Sequence, residues 1–258
     1  MIIYLVKMIA CSAVLYGLYA LLFRKEKMLV FNRFYLLGSL VISFLIPLIS
    51  ITVSVPATVQ HLADNRMAIL PDYEASPFVY TTVNSSSISF TQGLFLLCIM
   101  VSSVLLIRLL INLYRLRQAR RNGEAVCHEH FNLVLVDQEI MPYTFMNTVY
   151  LNKSEFNNGS IEAEVLEHEL AHIRQRHSLD ILFIELLQVV TWFNPMLYLF
   201  RRAVRTNHEL LADAEVVSGN GNVAGYQHIL LQRAAKLSDL GLVSSFNYLT
   251  IKKRLVML

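Results

Sequence analysis

Five consecutive residues, His168-Glu169-Leu170-Ala171-His172, have the types and spacing that hydrolytic metal chemistry requires. On an α-helix the two histidines fall one turn apart on the same face, so both imidazoles can converge on one ion. Glu169 lies beside them, placed to hold a water and not the metal. This is the zinc-hydrolase arrangement: neutral imidazoles bind Zn²⁺, the ion lowers the pKa of its water to about 7, and the glutamate takes the proton. The alternative is a structural helix with two incidental histidines. Ile161, Val165, Leu166, Leu170, Ala171 and Ile173 recur at helical spacing around the motif, which supplies the helix that the metal reading needs.

A catalytic zinc site takes three protein ligands and leaves a fourth position to water. His177, His208 and Glu209 are the candidates for the third. On a continuous helix His177, five residues past His172, turns well away from the ligand face. The longer motif with a third histidine requires glycine at position 175 and histidine at 178, where the chain has Gln175 and Ser178. Glu209 opens the run Glu209-Leu210-Leu211-Ala212-Asp213 on a second helical segment reaching about Val217. From there it completes a His₂Glu site, and Asp213, one turn on, can accept a hydrogen bond from a ligating imidazole. The alternative for Glu209 is a solvated helical charge. His208 is its neighbour but points about 100° away. Tyr143, Tyr150 and His208 are candidates for stabilising an oxyanion.

The elements that position these residues belong to a membrane protein. The 258 residues are 55% hydrophobic and only 16% charged, with a mean hydropathy of +0.48, which does not describe a soluble enzyme. Apolar runs at about 2–23, 34–53 and 90–114 are each long enough to cross a hydrocarbon core of about 30 Å. A signal peptide is the rival for the first run, but its charges, Arg24, Lys25 and Lys27, follow it instead of preceding it. The positive-inside rule sets the orientation. Basic residues crowd the loop after the first run, including Arg33, and the segment after the third, at Arg115, Arg117, Arg120 and Arg121; residues 54–89 offer only Arg66. The N-terminus and the 54–89 loop are therefore expected outside, and the metal motif on the cytoplasmic side. The net charge of +3 reads as this topology signal, with no direct nucleic-acid binding expected. Cys11, Cys98 and Cys127 suggest no pairing.

Beyond the third run, Leu133 and Leu135 and then Thr148 to Leu151 read as two short strands, with a turn at Met141-Pro142-Tyr143. An exposed strand edge here could hold an extended peptide, or the sheet could simply pack on the zinc helix. Residues 181–200 are strongly apolar but contain Trp192-Phe193-Asn194-Pro195, so a helical hairpin associated with the membrane fits better than a straight crossing. An amphipathic helix around Tyr226 to Leu237 follows the Gly219-Asn220-Gly221-Asn222 loop.

Taken together, three spans, MPYTFMNTVYLN, HELAHIRQRHSLD, TWFNPMLYLFRR, HELLADAEVV and FNYLTIKKRLVML resemble the membrane-embedded zinc peptidases of the BlaR/MecR type, the beta-lactam sensor-transducers of the gluzincin group. The resemblance implies a mainly α fold, with multi-pass transmembrane helices followed by a gluzincin-like zinc peptidase domain containing a small β-sheet. It implies one zinc per chain on His168, His172 and Glu209, with Glu169 catalytic. The expected division is a membrane domain at 1–117 and a cytosolic-facing zinc peptidase domain at 118–258, in a bacterial inner membrane. The expected partners are the bilayer and a protein or peptide substrate, either the protein itself or a cytosolic transcriptional repressor. No S-x-x-K motif of an outer penicillin-binding domain is present, so beta-lactam sensing does not follow. The rival functions are a zinc-domain transducer with little or no turnover and a general quality-control metalloprotease.

Overall fold

Apolar residues on nearly every face make the first elements helices that bury only a narrow stripe. The computed structural model describes residues 2–49, 90–127, 131–239 and 245–257. Helix α1 (Ile2–Leu18) runs into a π-helical turn (Tyr19–Phe23), and α2 (Leu29–Leu45) ends in a 3₁₀ turn (Ile46–Leu48). Helix α3 spans Phe90–Asn122. Three stretches, Ile3–Phe23, Leu29–Leu48 and Gln92–Asn122, are long and apolar enough to cross a membrane. The outside loop expected at 54–89, and the end of the second run, lie outside the described residues.

The second span starts at Leu29, ahead of the apolar run that marked it in the sequence. Arg33 read as a loop residue because it is charged, yet it and the buried Asn32 are both helical and each donates a hydrogen bond to another element. The Asn32 amide donates to the Phe23 carbonyl at 3.1 Å, and Arg33 reaches Asp180. Helices α1 and α2 pack closely through small residues, Ser12, Ser39 and Ser43, whose hydroxyls return to carbonyls three residues back.

After α3 come four strands, β1 (Glu124–Cys127), β2 (Asn132–Val136), β3 (Tyr143–Phe145) and β4 (Thr148–Asn152), in the order β1-β2-β4-β3. The β2–β4 pair is parallel; the two outer pairs are antiparallel. Two strands were therefore unread in the sequence. β1 is short and exposed, and β3 begins at Tyr143, inside the stretch that Pro142 marked as a turn. The sheet buries Leu133, Leu135, Val149 and Leu151 against Leu166, Leu170 and Ile173 of the motif helix. Its other face meets α3, where the Tyr150 hydroxyl donates to the Leu116 carbonyl at 3.3 Å.

The short helix α4 (Lys153–Asn157) leads to α5 (Ala163–Arg174), which carries the histidine motif. Arg176 then takes a left-handed conformation, φ 54°, and a new helix, α6 (His177–Val190), sets off from it. Asn194 and Pro195, which break the apolar run, begin α7 (Pro195–Asn220): proline occupies the first turn, where its missing N–H costs nothing, and the Asn194 side chain accepts from the Met196 N–H at 3.0 Å. α7 ends at Gly221, whose φ of 66° suits the left-handed cap. Helices α8 (Val223–Asp239) and α9 (Ser245–Met257) complete the described chain.

The largest core joins Tyr19, Leu36 and Leu40 of the first two helices to Ile184 of α6 and Leu197, Phe200 and Val204 of α7. The hairpin at Asn194 is stitched into the same core, because the buried Asn194 amide donates to the Ser12 hydroxyl at 3.1 Å. Asn194→Ala removes a cap and the buried bond that ties the hairpin to α1, so it should destabilise the protein by about 2 kcal/mol. Asn194→Asp, which keeps the cap, should cost less. Denaturant unfolding in detergent, followed through the single tryptophan two residues away, measures both.

Candidate metal centre

Helix α5 presents His168 and His172 one turn apart, and α7 crosses it with Glu209. The two Nε2 atoms lie 3.2 Å apart, and the Glu209 carboxylate oxygens lie 3.5 Å from His168 Nε2 and 3.8 Å from His172 Nε2. Bonds of 2.0–2.1 Å in a tetrahedron separate ligand atoms by about 3.3 Å, so these three side chains fit a zinc ion without rearrangement of the helices. Among the described residues they form the one such cluster.

Each imidazole is held from behind. His168 Nδ1 lies 3.1 Å from Asp213 Oδ1 and 3.0 Å from the Tyr226 hydroxyl, which itself donates to Asp213 at 2.7 Å. Asp213 is fully buried and receives both Nε and Nη2 of Arg254, at 2.7 and 2.6 Å, while Arg254 Nη1 lies 3.0 Å from Glu209. Behind His172, Nδ1 meets His177 Nδ1 at 2.7 Å. A metal held on Nε2 would leave Nδ1 as the protonated nitrogen of each ring.

His177 is consequently not turned away from the motif as a continuous helix would have it. The break at Arg176 swings it back against His172, although it contributes no ligand atom. His208 stacks on His177, with ring centroids 4.0 Å apart and planes within 11°. Its Nε2 is committed to Asp180 at 2.8 Å. Of the three side chains considered for an oxyanion, Tyr150 is bound to α3 and His208 to Asp180, while Tyr143 lines the cavity, stacked on Tyr150.

The electrostatics follow from this packing. Burial opposes a charge on His168, but its bonds to Asp213 and Glu209 outweigh that and raise it to about 9. Burial, and then the charge of His168, push His172 down to about 4, keeping it in the neutral form that binds metals. Glu209 is held far below the usual carboxylate range, because His168 and Arg254 overcome the cost of its burial. Burial raises Glu169, partly offset by the charge of His168 and by the Thr144 hydroxyl, which donates to Oε2 at 2.6 Å.

Above the cluster lies a cavity of about 630 Å³, the size of a substrate cleft. β3 forms one wall, α3 another through Leu109, Leu113 and Leu116, and α8 a third through Ile229, Leu230 and Arg233. Thr144, Tyr226 and Arg254 are site residues that the sequence did not disclose. None belongs to a motif, and each reaches the centre only through tertiary packing.

Removing Asp213 should expose the interdependence of these groups. Asp213→Ala leaves Arg254 buried without its main counter-charge and should cost about 3–5 kcal/mol of stability. Asp213→Asn, isosteric but uncharged, should fold better yet bind zinc about 10–100-fold more weakly. Thermal unfolding and chelator competition separate the two effects.

Comparison with known proteins then bears on residues 145–258, which match the family model described as BlaR1 peptidase M56. The match begins in β3 and takes in the motif helix, Glu209, Asp213 and Arg254, bearing out over that segment the resemblance read from the sequence. No curated protein matches the chain.

Proposed function

We propose that the protein is an integral-membrane zinc endopeptidase whose peptidase domain is the segment 145–258 that matches the family model described as BlaR1 peptidase M56. The observation that carries the proposal is the convergence of His168 Nε2, His172 Nε2 and the Glu209 carboxylate at 3.2–3.8 Å, with Glu169 beside them. Zinc bound there would polarise the scissile carbonyl and activate water. Thr144 fixes the Glu169 carboxylate through Oε2, and Oε1 takes the proton from the attacking water and delivers it to the leaving amine nitrogen. Asp213 and Tyr226 orient His168. Of the oxyanion candidates, Tyr143 lines the cavity and is the one placed to meet developing negative charge.

The substrate lies extended along β3, which ends the sheet and lines the cavity from Tyr143 to Phe145. The apolar walls from α3 and α8 favour apolar side chains next to the scissile bond. Arg24, Lys25 and Lys27 lie at the α1–α2 turn, and Arg115, Arg117, Arg120 and Arg121 at the end of α3. The metal centre sits at these same ends, since Arg33 touches Asp180 and Leu116 lines the cavity. By the positive-inside rule that end is cytoplasmic. A signalling protease that cleaves itself or a cytosolic repressor accords with this placement.

Metal analysis of detergent-purified protein should find about one zinc per chain, sharply weakened in Glu209→Ala. Glu169→Gln should retain zinc and lose about 10²–10⁴-fold in peptide cleavage. Zinc without cleavage that depends on Glu169 would reduce the domain to a binding scaffold, and absence of zinc would sink the reading. Thr144→Val withdraws a donor that favours ionised Glu169, so the carboxyl becomes harder to ionise. The acidic limb of the pH–rate profile should then move to higher pH by about one unit, so that cleavage suffers more at pH 6 than at pH 8.

A further inference from the structure

Arg33 read in the sequence as one more positive-inside charge, but it is largely buried and spent on two specific bonds. Its Nε donates to Asp180 Oδ2 at 2.6 Å, and its Nη2 to the carbonyl of Gln175 at 2.7 Å. Gln175 is the residue at which α5 ends, one before the left-handed Arg176, so Arg33 grips both sides of the break between α5 and α6. Inside that break sits His177. Because His172 must carry its proton on Nδ1 to offer Nε2 to a metal, His177 Nδ1 is the acceptor in their 2.7 Å contact. His177 Nε2 is then a donor, and it meets Gln175 Oε1 at 3.1 Å; the Gln175 amide in turn donates to Glu215 at 2.6 Å. Every hydrogen bond in this chain has a consistent polarity. The ring of His177 is clamped by stacking on His208, whose Nε2 is bound to the same Asp180 that Arg33 holds.

We infer that Arg33, at the head of membrane helix α2, is a positioning residue of the metal centre: through Asp180 and Gln175 it holds the helix break that sets His177 behind the ligand His172. The inference rests on the zinc reading of the site and extends it. The orientation of one ligand depends on how a membrane helix is docked, so displacement of α2 relative to α6 loosens the metal without touching any ligand.

Zinc affinity of the full-length chain in detergent, by competition with a chromophoric chelator, tests this, with the cobalt(II)-substituted absorption spectrum as a report of ligand geometry. His177→Phe should weaken zinc about 10–100-fold, and His177→Asn, whose side-chain oxygen can replace Nδ1 as acceptor, should recover most of the loss. Arg33→Gln should weaken zinc about tenfold, and Asp180→Asn, which breaks the same latch from the other side, should do likewise. The double variant Arg33→Gln/His177→Phe should be no weaker than His177→Phe alone, because both act on one path. Asn207→Ala removes a different α2–α7 bond, from Asn207 Nδ2 to the Leu29 carbonyl at 2.9 Å, and should leave zinc affinity within about twofold. Unchanged affinity and cobalt spectrum in both Arg33→Gln and Asp180→Asn would overturn the inference. So would losses that multiply in the double variant, or an Asn207→Ala defect equal to that of Arg33→Gln. A parent protein that binds no zinc would refute the metal site itself, a result distinct from all of these.

Discussion

Two carboxylates one turn apart on α7, Glu209 and Asp213, are packed against the imidazole of His168, and the architecture around them answers the charge this creates. Isolated ionised carboxylates are costly to bury. Arg254 supplies one permanent counter-charge, using the fork geometry of guanidinium to bind Asp213 twice and Glu209 once. That leaves the cluster one positive charge short, which is why the same carboxylates raise His168 to about 9. A divalent cation meets the same demand more fully. The need to bring a cation from α9 also explains why the last described helix returns to the centre, packing Leu255 beside Val216, Tyr226 and Leu230.

The motif helix itself could be read from spacing, because two candidate ligands and a candidate base within one turn are local features. Glu209 and Asp213 could be read as well, since they share a helical face and need only one tertiary crossing. Spacing alone erred on His177. The 3.6-residue rule presumes that the helix continues, and no glycine or proline at 175 or 176 signals the left-handed break. What stabilises that break comes from elsewhere: Arg33 from α2 and Glu215 from α7. Thr144, Tyr226 and Arg254 were hidden for the same reason. Their roles come from register and packing: β3 pairs Thr144 opposite Val149, and its hydroxyl reaches Glu169 on the helix that the sheet covers.

Apolar spans were legible because a bilayer imposes a length on them, whereas their ends were not. Arg33 and Asn32 are polar residues on a helix that the apolar run alone would have begun later. Each donates to a partner distant in sequence or across a turn, which offsets part of the cost of its burial. The reading of positive charge as topology was incomplete in a definite way. A basic residue at a membrane boundary can serve orientation during insertion and a fixed structural contact afterwards, and only the partner distinguishes the two.

The matched segment, 145–258, is therefore not a physical unit that could be lifted out intact. One wall of the cavity over the metal cluster is α3, and the core beneath the Asn194 hairpin is shared with Tyr19, Leu36 and Leu40. Cut away from the first three helices, α6 and α7 would expose Ile184, Leu197, Phe200 and Val204, and Asp180 would lose its guanidinium. Hydrophobic burial of this kind resists separation but tolerates small sliding, whereas the Arg33 bonds are directional and short. The membrane helices and the metal centre thus meet through one contact that permits motion and another that registers it.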